Sequence, residues 1–458
     1  MKRNIIKLSL LSTLMIGLVG CGGGSSSTVS NGGNPSTLYT AFSPLVNTRA
    51  DKLYKTNGTV AGSSEVSNIM VPSDATTNSN FKFEKLEGFS IYGEYLYFKS
   101  AKKYDDGSLL GVTYTENTYS TNLSDDSTVN IVTATPHIIG IIHGDSTKSI
   151  EVNGATYTIS GTGGNYQVDK ILSDGTRTNV DLSSIPTYSP YFLNTIAKVN
   201  NDIYFFAYSG STITNITNSM LVKFNTVTGN LDNTISVLQN VQPVRMTSVG
   251  TKLIFWGTVL GTAGIYTYET TTPTIAPVLI NADVIHNAKE FVTFNGELYF
   301  IATVANAITF YKIDTVNDTA QSIATTASAT GYKGTFTYNG ELYFISGGKL
   351  ASLNTTSSQI TVITDTLLSP MDNDAAAVEA NGKLYFSCDI DTSALIYDME
   401  LCQYDGTSVT TAQNINGGGS SYPTHFSNLD GELIFQASQD GTNNKLFHYD
   451  GTTLTVLN

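Results

Sequence analysis

The chain is patterned by one recurring stretch in which apolar residues occupy both faces of a short strand. Asn295-Gly296-Glu297-Leu298-Tyr299-Phe300 returns as NGELYF at 339–344, as NGKLYF at 381–386 and as DGELIF at 430–435. Looser copies are NDIYF at 201–205, GTKLIF at 250–255 and EYLYF ending at Phe98. The later copies end at Phe205, Phe255, Phe300, Phe344, Phe386 and Phe435, at intervals of 50, 45, 44, 42 and 49 residues. The gap from Phe98 to Phe205 is about twice as long, and VNGATYTIS at 152–160 falls inside it as a degraded copy. This makes eight copies. A period of 40–50 residues marks a unit that cannot bury its own apolar surface and must stack on its neighbours.

Four strands and their turns fit that length. Over 288–325 the pattern predicts strands AKEFVTF, GELYFIA, ITFYKID and AQSIAT, with Asn295-Gly296 as a two-residue hairpin turn. Asn-Gly suits a type I′ turn, in which both residues take positive φ. In the second strand Leu298, Phe300 and Ala302 point one way and Tyr299 and Ile301 the other. A sheet with one wet face would carry polar residues on it; a propeller blade is covered on both faces by its neighbours. The fold expected is therefore all-β: a single β-propeller of four-stranded antiparallel blades over 38–458. Eight blades is the count expected, with seven the next. Arrays of sandwiches and solenoids account for the strands less well. Residues 38–70 lack a clear NGxLYF strand and read as a partial blade or a cap.

A second motif follows some core strands: LFHYDGT at 446–452, LCQYDGT at 401–407, ILSDGT at 171–176 and KLYKTNGT at 52–59. These segments resemble the bacterial ELWxxDGT-type repeat, which implies propeller blades. The family's Trp is replaced in every copy. Trp256 is the single tryptophan, so there is no series of WD pairs. Kelch, sialidase and quinone-docking signatures are absent as well.

The N-terminus sets the compartment. Lys2, Arg3 and Lys7 precede a largely apolar run, Leu8 to Val19, too short to span a bilayer. Leu18-Val19-Gly20-Cys21 follows. This resembles a bacterial lipoprotein signal peptide over 1–20, and the resemblance implies that Cys21 is acylated, with palmitate among its chains, and becomes the first mature residue. Gly22 after the cysteine implies sorting to the outer membrane. Residues 21–37, rich in Gly and Ser, read as a flexible tether. Loss of the signal takes the basic count from 24 to 21 against 38 acidic residues, a net charge of −17. Such a chain repels phosphate backbones, so nucleic acid is not an expected partner.

Little of the remaining sequence carries chemistry. Cys388 and Cys402 lie on the second and third strands of one copy, and simple hairpin pairing sets them opposite each other. Export favours a disulfide; two separate buried thiols are the other reading. Between them Asp389, Asp391, Ser393 and Glu400 match positions 1, 3, 5 and 12 of a calcium loop. Ala394 stands where that loop needs Gly, and a solvated acidic loop is the plainer reading. His137 and His143 are six residues apart near a strand, and the other histidines fall in separate copies. GTGG at 161–164 lacks the Lys of a phosphate loop, and no GxSxG elbow occurs. Tyr97, Tyr204, Tyr299, Tyr343 and Tyr385 occupy equivalent packing positions, which leaves Tyr104, Tyr114 and Tyr119 as candidates for stacking on a glycan.

The function expected is a binding or scaffolding module at the cell envelope: a monomer, lipid-anchored in the outer membrane, with a protein or glycan partner and no catalytic residue or cofactor beyond the calcium candidate. The other class is a glycan-acting hydrolase or lyase with carboxylates converging on the channel. The segments that differ most between copies, 99–130, 209–219 and 389–400, are the expected contacts.

Overall fold

The computed structural model describes most of the chain from residue 26 to 458. The longer stretches outside the described residues are 1–25, 30–35, 45–51, 68–80, 106–111, 139–148, 183–188, 191–195, 210–217, 233–240, 283–286, 364–376 and 391–397. Among the described residues there is no helix, and hence none long and apolar enough to cross a membrane.

Nine antiparallel sheets follow one another along the chain, over 26–67, 81–138, 149–179, 189–232, 242–281, 287–325, 335–362, 378–413 and 424–456. Each is a meander of four strands in chain order, with a short extra strand in the second and fourth. The sixth sheet follows the expected pattern closely, with strands Asn287–Phe294, Glu297–Val304, Ala307–Asp314 and Thr319–Thr325. The degraded copy is a true hairpin, Ser149–Val152 and Ala155–Thr162, joined by Asn153 at φ 51° and Gly154 at φ 72°.

The nine sheets exceed the eight copies by one because 38–70 is neither a partial blade nor a cap. Thr37–Phe42, Lys52–Thr56 and Ser64–Ser67 build a complete sheet whose first strand is Ser26–Val29, from within the expected tether. Its ladder runs from Ser26 opposite Thr40 to Val29 opposite Thr37. Without that strand, Thr37–Phe42 would present an unpaired edge.

The core is divided between sheets rather than gathered inside one. Leu298, Phe300 and Ala302 pack with Ile254 and Ile265 of the fifth sheet. From the opposite face, Tyr299 and Ile301 pack with Leu342 and Phe344 of the seventh. The same division joins the third to the fourth, fourth to fifth, seventh to eighth and eighth to ninth sheets. The first sheet meets the second through Tyr39, Leu53, Leu86 and Phe98. It meets the ninth through Leu38, Phe42, Leu429, Ile434 and Leu446, which brings the ends of the chain together. First strands touch between the first and second, third and fourth, fourth and fifth, fifth and sixth, eighth and ninth, and ninth and first sheets, the arrangement of strands that line a propeller axis. The fold is a β-propeller.

The first and ninth sheets meet without exchange of strands. Backbone and side-chain bonds tie the first sheet to the ninth: Ser43 N donates to Gln436 Oε1 at 3.0 Å, Asn444 N to Pro44 O at 3.0 Å and Asn444 Nδ2 to Ser43 O at 2.9 Å.

A four-strand meander sends its first-to-second and third-to-fourth turns to one end and everything else to the other. On the turn face the two repeated motifs interlock. Asn295, Asn339, Asn381 and Asp430 take φ of 48–52° and their following glycines 68–93°, as a type I′ turn requires. The DGT segments are the third-to-fourth turns. Asp450 Oδ1 accepts from Thr452 N at 2.8 Å and Thr453 N at 2.7 Å, and Asp405 does the same for Thr407 and Ser408. These Asx turns recur at Asn225, Asp314 and Asn354, where no DGT marks them.

Gly451 sits against Asn381 of the preceding sheet, and Gly406 against Asn339. A Cβ on Gly451 would lie 3.4 Å from the Asn381 side chain, at φ +95°. Gly451→Ala is therefore expected to destabilise the protein by about 1–2 kcal/mol from backbone strain alone, measurable by urea unfolding. A cost no larger than that of Gly431→Ala, which has φ +93° and open space around it, would contradict the interlock.

Candidate functional site

The other face carries the second-to-third loops and all connections between sheets. Its second-to-third turns range from two residues, as at Leu260-Gly261 and Ala305-Asn306, to the long spans between strands ending at Ser209 and Asp389 and their successors. Thus the strand ends flanking 210–217 and 391–397 share one face, as do those flanking 106–111. Segment 99–130 is less of a loop than its sequence suggests. Strands Tyr95–Asp105 and Val112–Asn122 extend through most of it as a long hairpin.

At the centre of this face, three residues from three consecutive sheets converge. Glu290 lies near the start of the first strand of the sixth sheet, beside a β-bulge between Ala288 and Glu290. Tyr332 precedes the first strand of the seventh sheet, and its hydroxyl donates to Glu290 Oε1 at 2.5 Å. Thr335 N donates to the same oxygen at 2.9 Å. Arg245, on the first strand of the fifth sheet, adds its positive charge to the field at both Glu290 and Tyr332. Burial pushes the Glu290 carboxyl up from its ordinary value, against the pull of Tyr332, Thr335 and Arg245. Burial and the neighbouring carboxylate push the Tyr332 phenol well up too, so it keeps its proton and serves as a donor. The group brings together one carboxyl, one phenol and the field of one guanidinium from three consecutive sheets. Sequence gave no sign of it, since residues 45 and 42 apart are joined only by the stacking of the sheets.

Of the four calcium candidates the structure describes Asp389 and Glu400. Glu400 is fully buried and its carboxylate accepts from Ser421 Oγ at 2.6 Å, Ile415 N at 2.7 Å and Asn416 N at 3.4 Å. It anchors the connection into the ninth sheet. Asp389 Oδ1 accepts from Asp398 N at 2.9 Å. Asp391 and Ser393 lie outside the described residues, as does Cys21. Among the described residues no group of three or more His, Cys, Asp or Glu is placed to hold a metal ion. His143 and His286 are also outside, and His137 pairs with Tyr114 in a strand ladder.

Glu400 makes its own prediction. Burial raises its carboxyl above the ordinary value of 4.5, more than the three hydrogen bonds lower it. The stability of the protonated form is present below that ordinary value and is lost as pH rises through the folded value. The Tm difference between Glu400→Gln and the parent should therefore move in favour of the variant between about pH 4 and pH 7. A difference independent of pH in calorimetry would refute it.

Cys388 and Cys402 form a disulfide, with Cα atoms 5.8 Å apart. They are diagonal rather than opposite: Cys388 pairs with Glu400 and Cys402 with Phe386. Of the glycan-stacking candidates, Tyr119 stacks on Phe98, its ladder partner, with centroids 5.6 Å apart and planes 15° apart. It is part of the packing between the first two sheets, so it is not a free platform. Tyr104 and Tyr114 stand in the same hairpin. Tyr204, Tyr299, Tyr343 and Tyr385 are buried packing residues.

No family model and no curated protein matches the chain. Among solved structures it is similar to an oligogalacturonate lyase in complex with manganese, at 9% identity and a TM-score of 0.41, over 80% of this chain and 94% of that one. It is also similar to dipeptidyl peptidase 4 of Porphyromonas gingivalis, at 10% identity and a TM-score of 0.45, over 96% and 60%. The β-propeller domain of the Trilobed protease from Pyrococcus furiosus matches at 12% identity and a TM-score of 0.34, over 82% and 98%. Likenesses this distant say nothing of activity.

Proposed function

We propose that the protein is a cell-envelope lipoprotein, acylated at Cys21 and held in the outer membrane, whose propeller is a non-catalytic module that binds a protein or glycan through its loop-bearing face. The observation that carries this reading is the asymmetry of the two faces. One end of the ring carries the recurring Asn-Gly and Asx turns, interlocked at Gly406 against Asn339 and Gly451 against Asn381, with one longer connection at 270–277. The other gathers the connections between sheets and the strand ends flanking 106–111, 210–217 and 391–397, around Arg245, Glu290 and Tyr332. A rigid scaffold that varies at one end is the arrangement of a recognition surface.

The lipid anchor is tested by labelling with radioactive palmitate, which Cys21→Ser should abolish. The binding face is tested by a photo-crosslinking residue placed at Asn306 on the loop-bearing face or at Asn317 on the turn face. Adducts in intact envelopes are expected from the first position and not the second; the reverse would overturn the assignment.

The Glu290–Tyr332 contact favours a second reading, a glycan-acting hydrolase or lyase centred on the axis. That reading expects turnover of an envelope glycan by the pure protein, lost in Tyr332→Phe.

A further inference from the structure

The route of the chain into the ring bears on how the protein faces the membrane, given the lipoprotein reading above. In every sheet the first strand starts at the loop-bearing face and runs toward the turn face. The first sheet obeys the same direction. Ser26 pairs with Thr40, close to the end of Thr37–Phe42 that leads into the second-to-third loop, and Val29 pairs with Thr37. Ser26 is therefore on the loop-bearing side, and as part of a first strand it is next to the axis. Ser26–Val29 touches both the second and the ninth sheets, as expected of a strand at the centre. Cys21 precedes Ser26 by five residues. Fully extended, five residues span at most about 17 Å. A tether running to residue 37, as composition suggests, would let the ring turn over freely. One ending at residue 25 is shorter than the ring is tall, since an eight-residue strand such as Glu297–Val304 rises about 25 Å.

We infer that the acylated N-terminus draws the loop-bearing face toward the bilayer and leaves the turn face directed away from it. Leu260, 84% exposed on the second-to-third turn of the fifth sheet, would sit on the membrane-facing side. Val227 and Val316 are similarly exposed on the turn face, but each stands singly at the tip of a separate sheet's turn and needs no covering.

The test uses the full-length acylated protein reconstituted in vesicles carrying an acceptor dye on the lipid headgroup. A donor dye is attached at Leu260→Cys or at Val316→Cys, which are equally exposed on opposite faces. With faces about 25 Å apart, energy transfer to the membrane is expected to be at least about twofold higher from position 260 than from position 316. Inserting a long Gly/Ser segment after Gly24 should erase the difference. Equal transfer from the two positions, higher transfer from 316, or a difference that survives the insertion would overturn the orientation. Co-flotation with vesicles is read in the same samples. If the parent and Cys21→Ser float equally, or neither floats, the lipoprotein reading itself fails; floating that depends on Cys21 with no difference in transfer overturns the orientation alone.

Discussion

Phe300→Ala is expected to lower the free energy of unfolding by about 3–5 kcal/mol. Phe300 is fully buried in the second strand of the sixth sheet. Its ring is 4.7 Å from that of Phe291 and 6.3 Å from that of Tyr311, within its own sheet. It also packs with Ile254 and Ile265 of the fifth sheet. Truncation leaves a void between two sheets that are each already fixed by further neighbours, so little collapse can fill it. Equilibrium urea unfolding measures the loss. Because Phe205, Phe255, Phe344, Phe386 and Phe435 occupy the equivalent position and are all fully buried, each should show a loss of similar size. A cost below about 1 kcal/mol at Phe300 would mean that the repeat is not the packing unit, since core truncations of this type do not run so low.

The second large effect is expected from the disulfide. Cys388 and Cys402 close a loop with a sequence separation of 14, for which the chain-entropy model gives about 3 kcal/mol. The pair Cys388→Ala and Cys402→Ala should lose roughly that amount. A reductant should lower the Tm of the parent and leave that of the double variant unchanged. Both sulfurs belong to the core between the seventh and eighth sheets, so some of the loss will come from packing. Two free thiols by mass spectrometry of the exported protein would contradict the bridge.

The sequence made the hairpins and the division of the core legible because both are local. Asn-Gly fixes the turn within two residues, and the alternation of Leu298, Tyr299, Phe300 and Ile301 states which side chains face which neighbour. Even the degraded copy at 152–160 kept its Asn153-Gly154 turn. The first strand was hidden because Gly, Ser and Thr around 22–28 have the composition of a tether. Only the ladder to Thr37–Phe42, with an intervening connection, makes Ser26–Val29 a strand. The diagonal register of the disulfide was hidden for a similar reason: the midpoint of two cysteines predicts an opposed pair, and the ladder is shifted from it.

The candidate site was less legible than the fold. Glu400 fits a calcium spacing by position alone, yet its carboxylate is spent on the backbone of 415 and 416 and on Ser421. Arg245, Glu290 and Tyr332 sit in segments with no shared motif, and only the meeting of first strands at the axis brings them together. What sequence did convey was where divergence lies. Topology then adds that the strand ends flanking 106–111, 210–217 and 391–397 point the same way.

Recognition by the loop-bearing face, with the turn face as scaffold, is tested by replacing 210–217 and 391–397, singly and together, with short Asn-Gly turns, in parallel with Val227→Thr and Val316→Thr on the turn face. Partner capture by cross-linking in intact envelopes should fall away in the loop variants while their Tm stays near that of the parent, and should persist in the turn variants. Capture retained by the double loop variant and lost in the turn variants would contradict the account.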